Sequence, residues 1–191
     1  MTTPDAEVLG EFMECIKAFG MNHRTSYNDS GCPTVHAVGA SWRNSPIRDA
    51  LRELGLLGNL AVEKFVPDQY KFATWHARCE VLAGLLDTDG HKNKGGYDWI
   101  SKSERLAHDV VFIARSLGIK AQVSAQYKRC QTGAGGIYYR VSLSGDMTRL
   151  NMRVERKRAD PRKQAKSPHV AGFTVEELGA DDYFGFTLDA D

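Results

Sequence analysis

Residues 119–143 alternate between apolar and polar side chains more cleanly than any other part of the chain. A period of two residues is typical of a β-strand with one face on a core and the other in solvent. A glycine-rich stretch at 133–136 divides the alternation into two halves. The pattern therefore predicts a β-hairpin whose apolar face must be covered by other elements.

The polar face of this predicted hairpin carries cations, amides and hydroxyls. Its members are Lys120, Gln122, Ser124, Gln126, Lys128, Tyr138, Arg140 and Ser142. Cations bind phosphates, while amide and guanidinium groups can read base edges in the major groove. None of these positions is a carboxylate, although an ordinary solvated sheet face usually carries some. We interpret this face as a surface for double-stranded DNA, with a merely solvated face as the alternative; Lys92, Lys94 and Lys102 are weaker candidates for the same role.

Charge is distributed unevenly, although the formal net charge is only +1. Between 120 and 166 twelve lysines and arginines face three carboxylates, whereas 167–191 holds six carboxylates and neither lysine nor arginine. A basic region followed by an acidic tail indicates a polyanionic partner for the first part only.

Other sequence features exclude several classes of protein. The four cysteines are scattered without a CxxC pair, which argues against a zinc site and a disulfide framework. No window has the apolar length of a membrane span, and the first residues do not form a signal sequence. A cytoplasmic protein is the simplest expectation.

Helical and strand patterns alternate along the rest of the chain. Helices are predicted at 5–19, from Ser45–Pro46 to about 55, at 75–87 and at 101–118, with strand pairs around 28–31 and 94–96 and a basic helical segment ending near 158. The order helix, strand pair, helix thus occurs twice. The fold class expected is α/β (α+β).

The apolar helix from Trp75 ends in Leu82-Ala-Gly-Leu-Leu-Asp-Thr-Asp-Gly90. Ala83 and Gly84 remove side-chain bulk in mid-helix despite the helix-propensity cost of glycine, as expected where another backbone approaches. Asp87 and Asp89 lie at the helix C-terminus, where the macrodipole disfavours anions and a bound cation would reverse the penalty.

This segment resembles the motif of the LAGLIDADG, or DOD-type, homing endonucleases of inteins. Phrases at 50–57, 63–67 and 114–118 resemble the same intein domains, so the likeness extends over nearly the whole chain. The resemblance implies the LAGLIDADG fold, an αββαββα repeat. Its domains are expected at 1–67 (a partial first repeat), 68–166 (the second repeat, with the motif) and 167–191 (a β segment similar to the end of an intein splicing domain).

In that family two motif helices pack side by side and each delivers its last aspartate to a DNA-binding saddle. The resemblance makes Asp89 the catalytic carboxylate that binds Mg²⁺ or Mn²⁺, with the Gly90 carbonyl nearby. A basic residue commonly assists, and Lys157 is the candidate, with Lys163 close behind. The alternatives are that Gly90 only caps a buried helix and that the lysines belong to a solvated charge run.

The chain opens with residues that resemble text found after a first motif, so one motif helix is expected to be missing. Cleavage of both DNA strands would then need an N-terminal intein fragment or a second copy of the chain. We do not expect the chain to splice by itself, because the splicing nucleophile and the terminal His-Asn pair are not found. The alternative functions are an inactive DNA-binding relic or split-intein fragment, and an RNA-splicing maturase.

Overall fold

A computed structural model describes residues 1–39, 45–93, 95–129, 135–161, 170–182 and 184–185. Its elements are α1 (Ala6–Ala18), β1 (Asn22–Tyr27), β2 (Pro33–Val38), α2 (Pro46–Glu53), α3 (Asp68–Lys71), α4 (Trp75–Asp89), β3 (Gly90–Asn93), β4 (Gly96–Ser101), α5 (Glu104–Ser116), β5 (Lys120–Arg129) and β6 (Gly135–Ser144), followed by a 3-10 turn at Glu155–Lys157. This mixed α+β architecture, with two antiparallel sheets, confirms the expected fold class.

A small core holds the first helix on the first hairpin. Strands β1 and β2 pair antiparallel around the predicted turn. Leu9 and Ile16 of α1 are buried with Met21 and Val35 because these apolar residues of α1 recur on one side of the helix. The N-terminal ammonium donates to the Val35 carbonyl at 2.7 Å, which ties the start of the chain to β2.

The larger core lies between a four-stranded sheet and helices α4 and α5. The strand order is β3-β4-β6-β5, and every neighbouring pair is antiparallel. The apolar half of the alternation faces the helices, where Ala121, Val141 and Leu143 are buried together with Tyr97 and Trp99 of β4. The opposite face of the sheet is therefore left for the polar residues.

Both helices of this core begin at a side-chain cap. The Thr74 hydroxyl accepts the Ala77 amide at 3.3 Å, and the Ser103 hydroxyl accepts the Leu106 amide at 3.1 Å. Such caps satisfy amides that have no partner within the helix. Helix α4 therefore starts at Trp75, as predicted, and extends two residues beyond the predicted end to Asp89.

The helix predicted to end near Arg158 is not formed. Residues 145–161 are irregular apart from the 3-10 turn. The amides of Arg153 and Val154 bind the Asp87 carboxylate instead of helical carbonyls. Tertiary hydrogen bonds thus replace the local pattern that favoured a helix.

The predicted β tail is also not observed in the part of it that the structure describes. Residues 170–182 and 184–185 form no strand, and Phe173, Leu178 and Phe184 are almost fully exposed. A single extended segment cannot satisfy its backbone hydrogen bonds without a neighbouring strand. None of the helices in the described ranges is both long enough and apolar enough to cross a membrane.

Pairing of β4 with β6 depends on Gly96. A Cβ built at this position would overlap the Leu143 carbonyl oxygen, whereas one at Gly136 in the same sheet would meet only the Lys102 side chain at 3.9 Å. We predict that Gly96→Ala lowers the free energy of unfolding in urea by about 1–3 kcal/mol. Gly136→Ala is the matched control, and equal stability of the two variants would contradict this account of the sheet.

Candidate functional site

The C-terminal tip of α4 presents one carboxylate to solvent. Asp89 is exposed, and among the described residues its carboxylate accepts one side-chain hydrogen bond, from the Thr88 hydroxyl at 3.2 Å. The same hydroxyl also lies within hydrogen-bonding distance of the Gly84 carbonyl, at 3.1 Å. The last helical residue is immediately followed by edge strand β3, so Asp89 lies where the helix meets the sheet.

Asp87, two residues earlier, has a different environment. Its side chain is buried, and its oxygens accept the backbone amides of Arg153 at 2.8 Å and Val154 at 3.1 Å. A carboxylate satisfied by two amides is a structural group, because it holds the segment after β6 against α4. The two aspartates of the motif thus separate into one buried anchor and one free carboxylate.

Lys157 lies beneath the end of α4. Its ammonium is within hydrogen-bonding distance of the carbonyls of Leu86 at 3.2 Å, Asp87 at 2.5 Å and Thr88 at 3.3 Å. The Leu86 carbonyl also accepts the Gly90 amide, whereas the Asp87 and Thr88 carbonyls lie beyond this last backbone bond of the helix, so the lysine caps it and offsets the negative end of its dipole. Burial lowers the pKa of Lys157, and the Tyr97 hydroxyl donates to its backbone carbonyl.

This cap changes the electrostatic argument made from the sequence. A divalent ion was expected to offset the anions at the helix tip, whereas the structure places a lysine ammonium there. The predicted catalytic lysine is therefore close to the predicted carboxylate, but its hydrogens are directed at backbone carbonyls. Lys163, the second candidate, lies outside the described residues.

Gly90 is required by space rather than by an unusual backbone angle. Its φ of −79° and ψ of 142° are extended, so it caps the helix without the left-handed conformation of a common glycine cap. A Cβ here would lie 2.5 Å from the Leu86 carbonyl oxygen. Glycine therefore lets the chain turn directly from α4 into β3.

The segment around the 3-10 turn also joins the two cores. Arg153 contacts Glu80 of α4 at 2.8 Å and Glu11 of α1 at 2.9 Å. Arg156 pairs with Asp5 at 2.6 Å. The partners are 73 to 151 residues apart in sequence, so no local spacing could have indicated them.

A groove runs between α1 and α4. A cavity of about 290 Å³ is lined by Met1, Val8, Glu11, Phe12, Glu80, Ala83, Gly84, Asp87, Thr88, Asn151 and Arg153. Gly84 is exposed in this groove, and a Cβ on it would meet nothing within 4 Å. The small residues of the motif thus border open space along α4.

The eight predicted DNA-binding residues lie on one face of β5 and β6. Gln122 pairs with Ser142, Ser124 with Arg140 and Gln126 with Tyr138, while Lys120 and Lys128 pair with Ser144 and Gly136. Lys120, Gln122, Ser124, Lys128 and Ser142 are exposed. The structure therefore brings the polar half of the alternation together, away from the core.

Asp98 of β4 also lies on this face, and the sequence interpretation missed it. Its carboxylate accepts hydrogen bonds from Arg140, through Nε at 3.0 Å and Nη2 at 2.5 Å. It also accepts hydrogen bonds from the Ser142 hydroxyl at 2.9 Å and the Asn93 amide at 3.0 Å. The Arg140 guanidinium is the main cause that holds the pKa of Asp98 at about 2. No signal local to β5 and β6 reveals this residue, since only the strand order places β4 beside β6.

Metal ligands are sparse at the tip of α4. No group of three or more His, Cys, Asp or Glu side chains suited to an ion occurs in the described part of the chain. Asp89 alone offers a free carboxylate there, which fits Mg²⁺ only as one ligand among waters and a phosphate.

We predict that Lys157→Met destabilises the fold because it removes the side-chain donor from the Asp87 and Thr88 carbonyls at the end of α4. The expected loss is about 1–3 kcal/mol in the free energy of urea unfolding. Lys17→Met, at an exposed lysine of α1, is the control and should change it by less than about 0.5 kcal/mol. An unchanged midpoint for Lys157→Met would show that the cap is not stabilising.

The network around Asp98 predicts an acid-sensitive contribution to stability. Its pKa of about 2 lies below the ordinary 3.8, so the contribution is complete above about pH 4–5 and is lost as the pH falls towards 2. Asp98→Asn should lower the free energy of unfolding by about 2 kcal/mol at pH 7. It should also make that free energy depend less on pH between pH 4 and 2. Urea unfolding at several pH values measures this dependence. The same change of unfolding free energy with pH in the wild type and in Asp98→Asn would refute the stabilising role of the network.

Comparison with known proteins identifies the family of the chain. The sequence model of the family described as "Homing endonuclease" matches residues 67–170. The chain is also similar to proteins named replicative DNA helicase DnaB: it is 39% identical to that of Mycobacterium intracellulare over 95 residues, which is 49% of this chain and 16% of the relative. The corresponding protein of Synechocystis sp. is 32% identical over 110 residues, which is 54% of this chain and 12% of the relative. That of Rhodothermus marinus is 33% identical over 113 residues, which is 56% of this chain and 12% of the relative. The chain thus spans less than a fifth of these relatives, but the family match covers more than half of the chain, which therefore belongs to the homing endonuclease family.

Proposed function

We propose that the chain is a LAGLIDADG-type, divalent-metal-dependent endonuclease that hydrolyses specific phosphodiester bonds in double-stranded DNA. The observation that carries the proposal is the contrast at the tip of α4 between buried, hydrogen-bonded side chains and one exposed carboxylate. Asp87 and Lys157 anchor the tip, while Asp89 stays exposed beside the sheet. A carboxylate left free on a rigid support is what a metal-dependent nuclease requires.

Asp89 would bind Mg²⁺ or Mn²⁺ through its carboxylate, and the Gly90 carbonyl is the second candidate ligand. The metal would supply charge stabilisation for the attacking and leaving oxygens of the displacement. Lys157 acts in this proposal as a positioning residue, because it holds the backbone carbonyls of the two residues before Asp89.

The polar face of β5 and β6 would receive the DNA. A two-stranded antiparallel ribbon fits the major groove, where base pairs differ in their hydrogen-bonding pattern. No described carboxylate pairs with Lys120 or Lys128 in a salt bridge, so both are available for phosphates. The basic composition of 120–166 supports the same assignment.

A second helix bearing an aspartate would dock in the groove beside Gly84. The groove is open, and the absence of a side chain at Gly84 allows two backbones to approach closely. We propose that this helix comes from an N-terminal intein fragment or from a second copy of the chain. It would provide the carboxylate for the other DNA strand.

The helicase relatives support an intein setting. The chain matches only 12% to 16% of those proteins, and the matched residues overlap the homing endonuclease match. We propose that the matched segment is an intein inserted in a replicative helicase and that the target is the helicase gene without the insertion. The acidic residues from 167 would belong to the splicing domain.

The proposal is tested by nicking of a supercoiled plasmid that carries a replicative helicase gene lacking the insertion. Nicking is the readout because one carboxylate serves one strand. We predict Mg²⁺-dependent nicking that Asp89→Asn reduces by about 100-fold or more, since it removes the metal ligand. The control Asp49→Asn, at an exposed helical carboxylate, should nick like the wild type.

Two results would contradict the nuclease proposal. One is equal nicking by Asp89→Asn and wild type, which would exclude Asp89 from the chemistry. The other is DNA binding by the wild type without any Mg²⁺-dependent nicking, which would indicate the inactive relic. Preference for structured RNA over duplex DNA in a competition assay would indicate the maturase.

Docking of a second helix predicts opposite effects of Gly84→Ala on stability and on double-strand cleavage. The substitution should stabilise the chain by about 0.5–1 kcal/mol, because alanine favours the helix and meets nothing. It should lower double-strand cleavage by the assembly of the chain with the source of the second helix, because the added methyl separates the two helices. Gly10→Ala in α1 is the matched control, because a Cβ there would also meet nothing within 4 Å and Gly10 does not line the groove. Equal cleavage by both variants would argue against docking at Gly84.

A further inference from the structure

The centre of the polar face holds an arginine whose geometry is set by a carboxylate on the neighbouring strand. Ile100 and Asp98 of β4 are cross-strand partners of Arg140 and Ser142 on β6. Asp98 binds the Nε and Nη2 edge of the Arg140 guanidinium at 3.0 and 2.5 Å. This two-point contact fixes the plane of the guanidinium as well as its position.

The other edge of the same guanidinium is free. No described residue accepts a hydrogen bond from Nη1 of Arg140, and the side chain is 38% exposed. It borders an open cavity of about 340 Å³, lined by Asn93, Asp98, Arg140 and Ser142 among others. Nη1 and the second hydrogen of Nη2 therefore form a pair of parallel donors available to a ligand.

Asp98 is itself held in place from two further sides. Ser142 donates to one of its oxygens at 2.9 Å and Asn93 to the other at 3.0 Å. Its side chain is 13% exposed. The carboxylate is thus saturated by protein donors and acts only through Arg140.

We propose that Arg140 reads a single guanine in the major groove and that Asp98 is the positioning residue that gives this contact its selectivity. The inference rests on the proposed DNA function and adds a residue-level account of base recognition. Two parallel donors match the O6 and N7 acceptors of guanine. Adenine presents a donor in place of one acceptor at that edge, so it is rejected.

The charges on the face distinguish this pair from its neighbours. The charge of Arg140 is balanced by Asp98, whereas no salt bridge to a described carboxylate balances Lys120 or Lys128. An ion pair with no net charge contributes little to the salt-dependent attraction of phosphates. The lysines should therefore govern overall affinity, and the Asp98–Arg140 pair should govern sequence preference.

The experiment is selection of bound duplexes from a randomised double-stranded DNA library by the full chain, with the bound sequences read out. Variant Asp98→Asn and the double variant Asp98→Asn/Arg140→Met, which removes both charges of the pair and every donor of the guanidinium, are compared with the wild type. Asp146→Asn is the matched control, because Asp146 pairs with Arg149 at 3.4 Å after β6 and does not line this cavity. Thermal melting of each variant confirms that it is folded.

We expect the wild type to select a guanine at one position, and both variants to lose about 10-fold or more of that preference there. Preferences elsewhere and affinity for random duplex should persist, and Asp98→Asn should bind random duplex at least as tightly because a carboxylate is removed. Replacing that guanine by 7-deazaguanine, which lacks the N7 acceptor, should weaken wild-type binding and leave the binding of Asp98→Asn/Arg140→Met unchanged.

Three results would overturn the inference. A guanine preference retained in both variants would show that the pair is only a cross-strand salt bridge. Loss of preference at all positions together would show a structural rather than a reading role. Failure of the wild type to enrich any duplex sequence would contradict the proposed DNA function itself, and with it this contact.

Discussion

The end of α4 is held by a lysine ammonium and a buried carboxylate that act on backbone groups in opposite directions. Lys157 donates to carbonyls of the last turn, and Asp87 accepts amides from the segment that carries Lys157. Each interaction satisfies groups that burial would otherwise leave without partners. Together they lock the segment after β6 beneath the helix and fix the direction in which the following residue points.

These two interactions explain how a short motif can stabilise the fold and still leave one carboxylate exposed for the proposed chemistry. Leu82 and Leu86 fill the core, Gly90 permits the direct turn into β3, and Asp89 remains outside. The tip is therefore rigid although its last carboxylate has no strong protein partner among the described residues. In the proposed function, such a support would reduce the cost of ordering a metal and a phosphate at this carboxylate.

The sheet extends the same principle to recognition. Its core face is fixed by residues such as Val141 and Leu143, which determine by alternation what the opposite face displays. On that face Lys120 and Lys128 form no salt bridge with a described carboxylate, whereas Arg140 is engaged by Asp98. In the proposed function, attraction for a polyanion and discrimination between bases would therefore belong to different side chains on one surface.

Most of the elements could be predicted from the sequence because their signals are local. The alternation at 119–143 marks β5 and β6, and the apolar periodicity and caps mark α4 and α5. The helix expected before Arg158 was wrong, since hydrogen bonds to Asp87 outweigh local propensity there. The roles of Lys157 and Asp98 depend on groups about 40 to 70 residues away, which no spacing rule can reach.

The candidate site was predictable to the same extent. Asp89 and the polar residues of the hairpin are marked by motif and periodicity, and the structure exposes Asp89 and gathers the polar residues on one face. Position at the helix end does not distinguish Asp87 from Asp89, and it was the family resemblance that selected Asp89 as the metal-binding carboxylate. Only the chain that packs against one of them decides which carboxylate stays free.

The most direct test of the central claim is to locate a bound divalent ion on the full chain by NMR. Substoichiometric Mn²⁺ added with duplex DNA broadens amide signals near the ion. The account predicts selective broadening at Thr88, Asp89 and Gly90, reversed by excess Mg²⁺ and absent in Asp89→Asn. Broadening centred elsewhere, or none around the tip of α4, would contradict it.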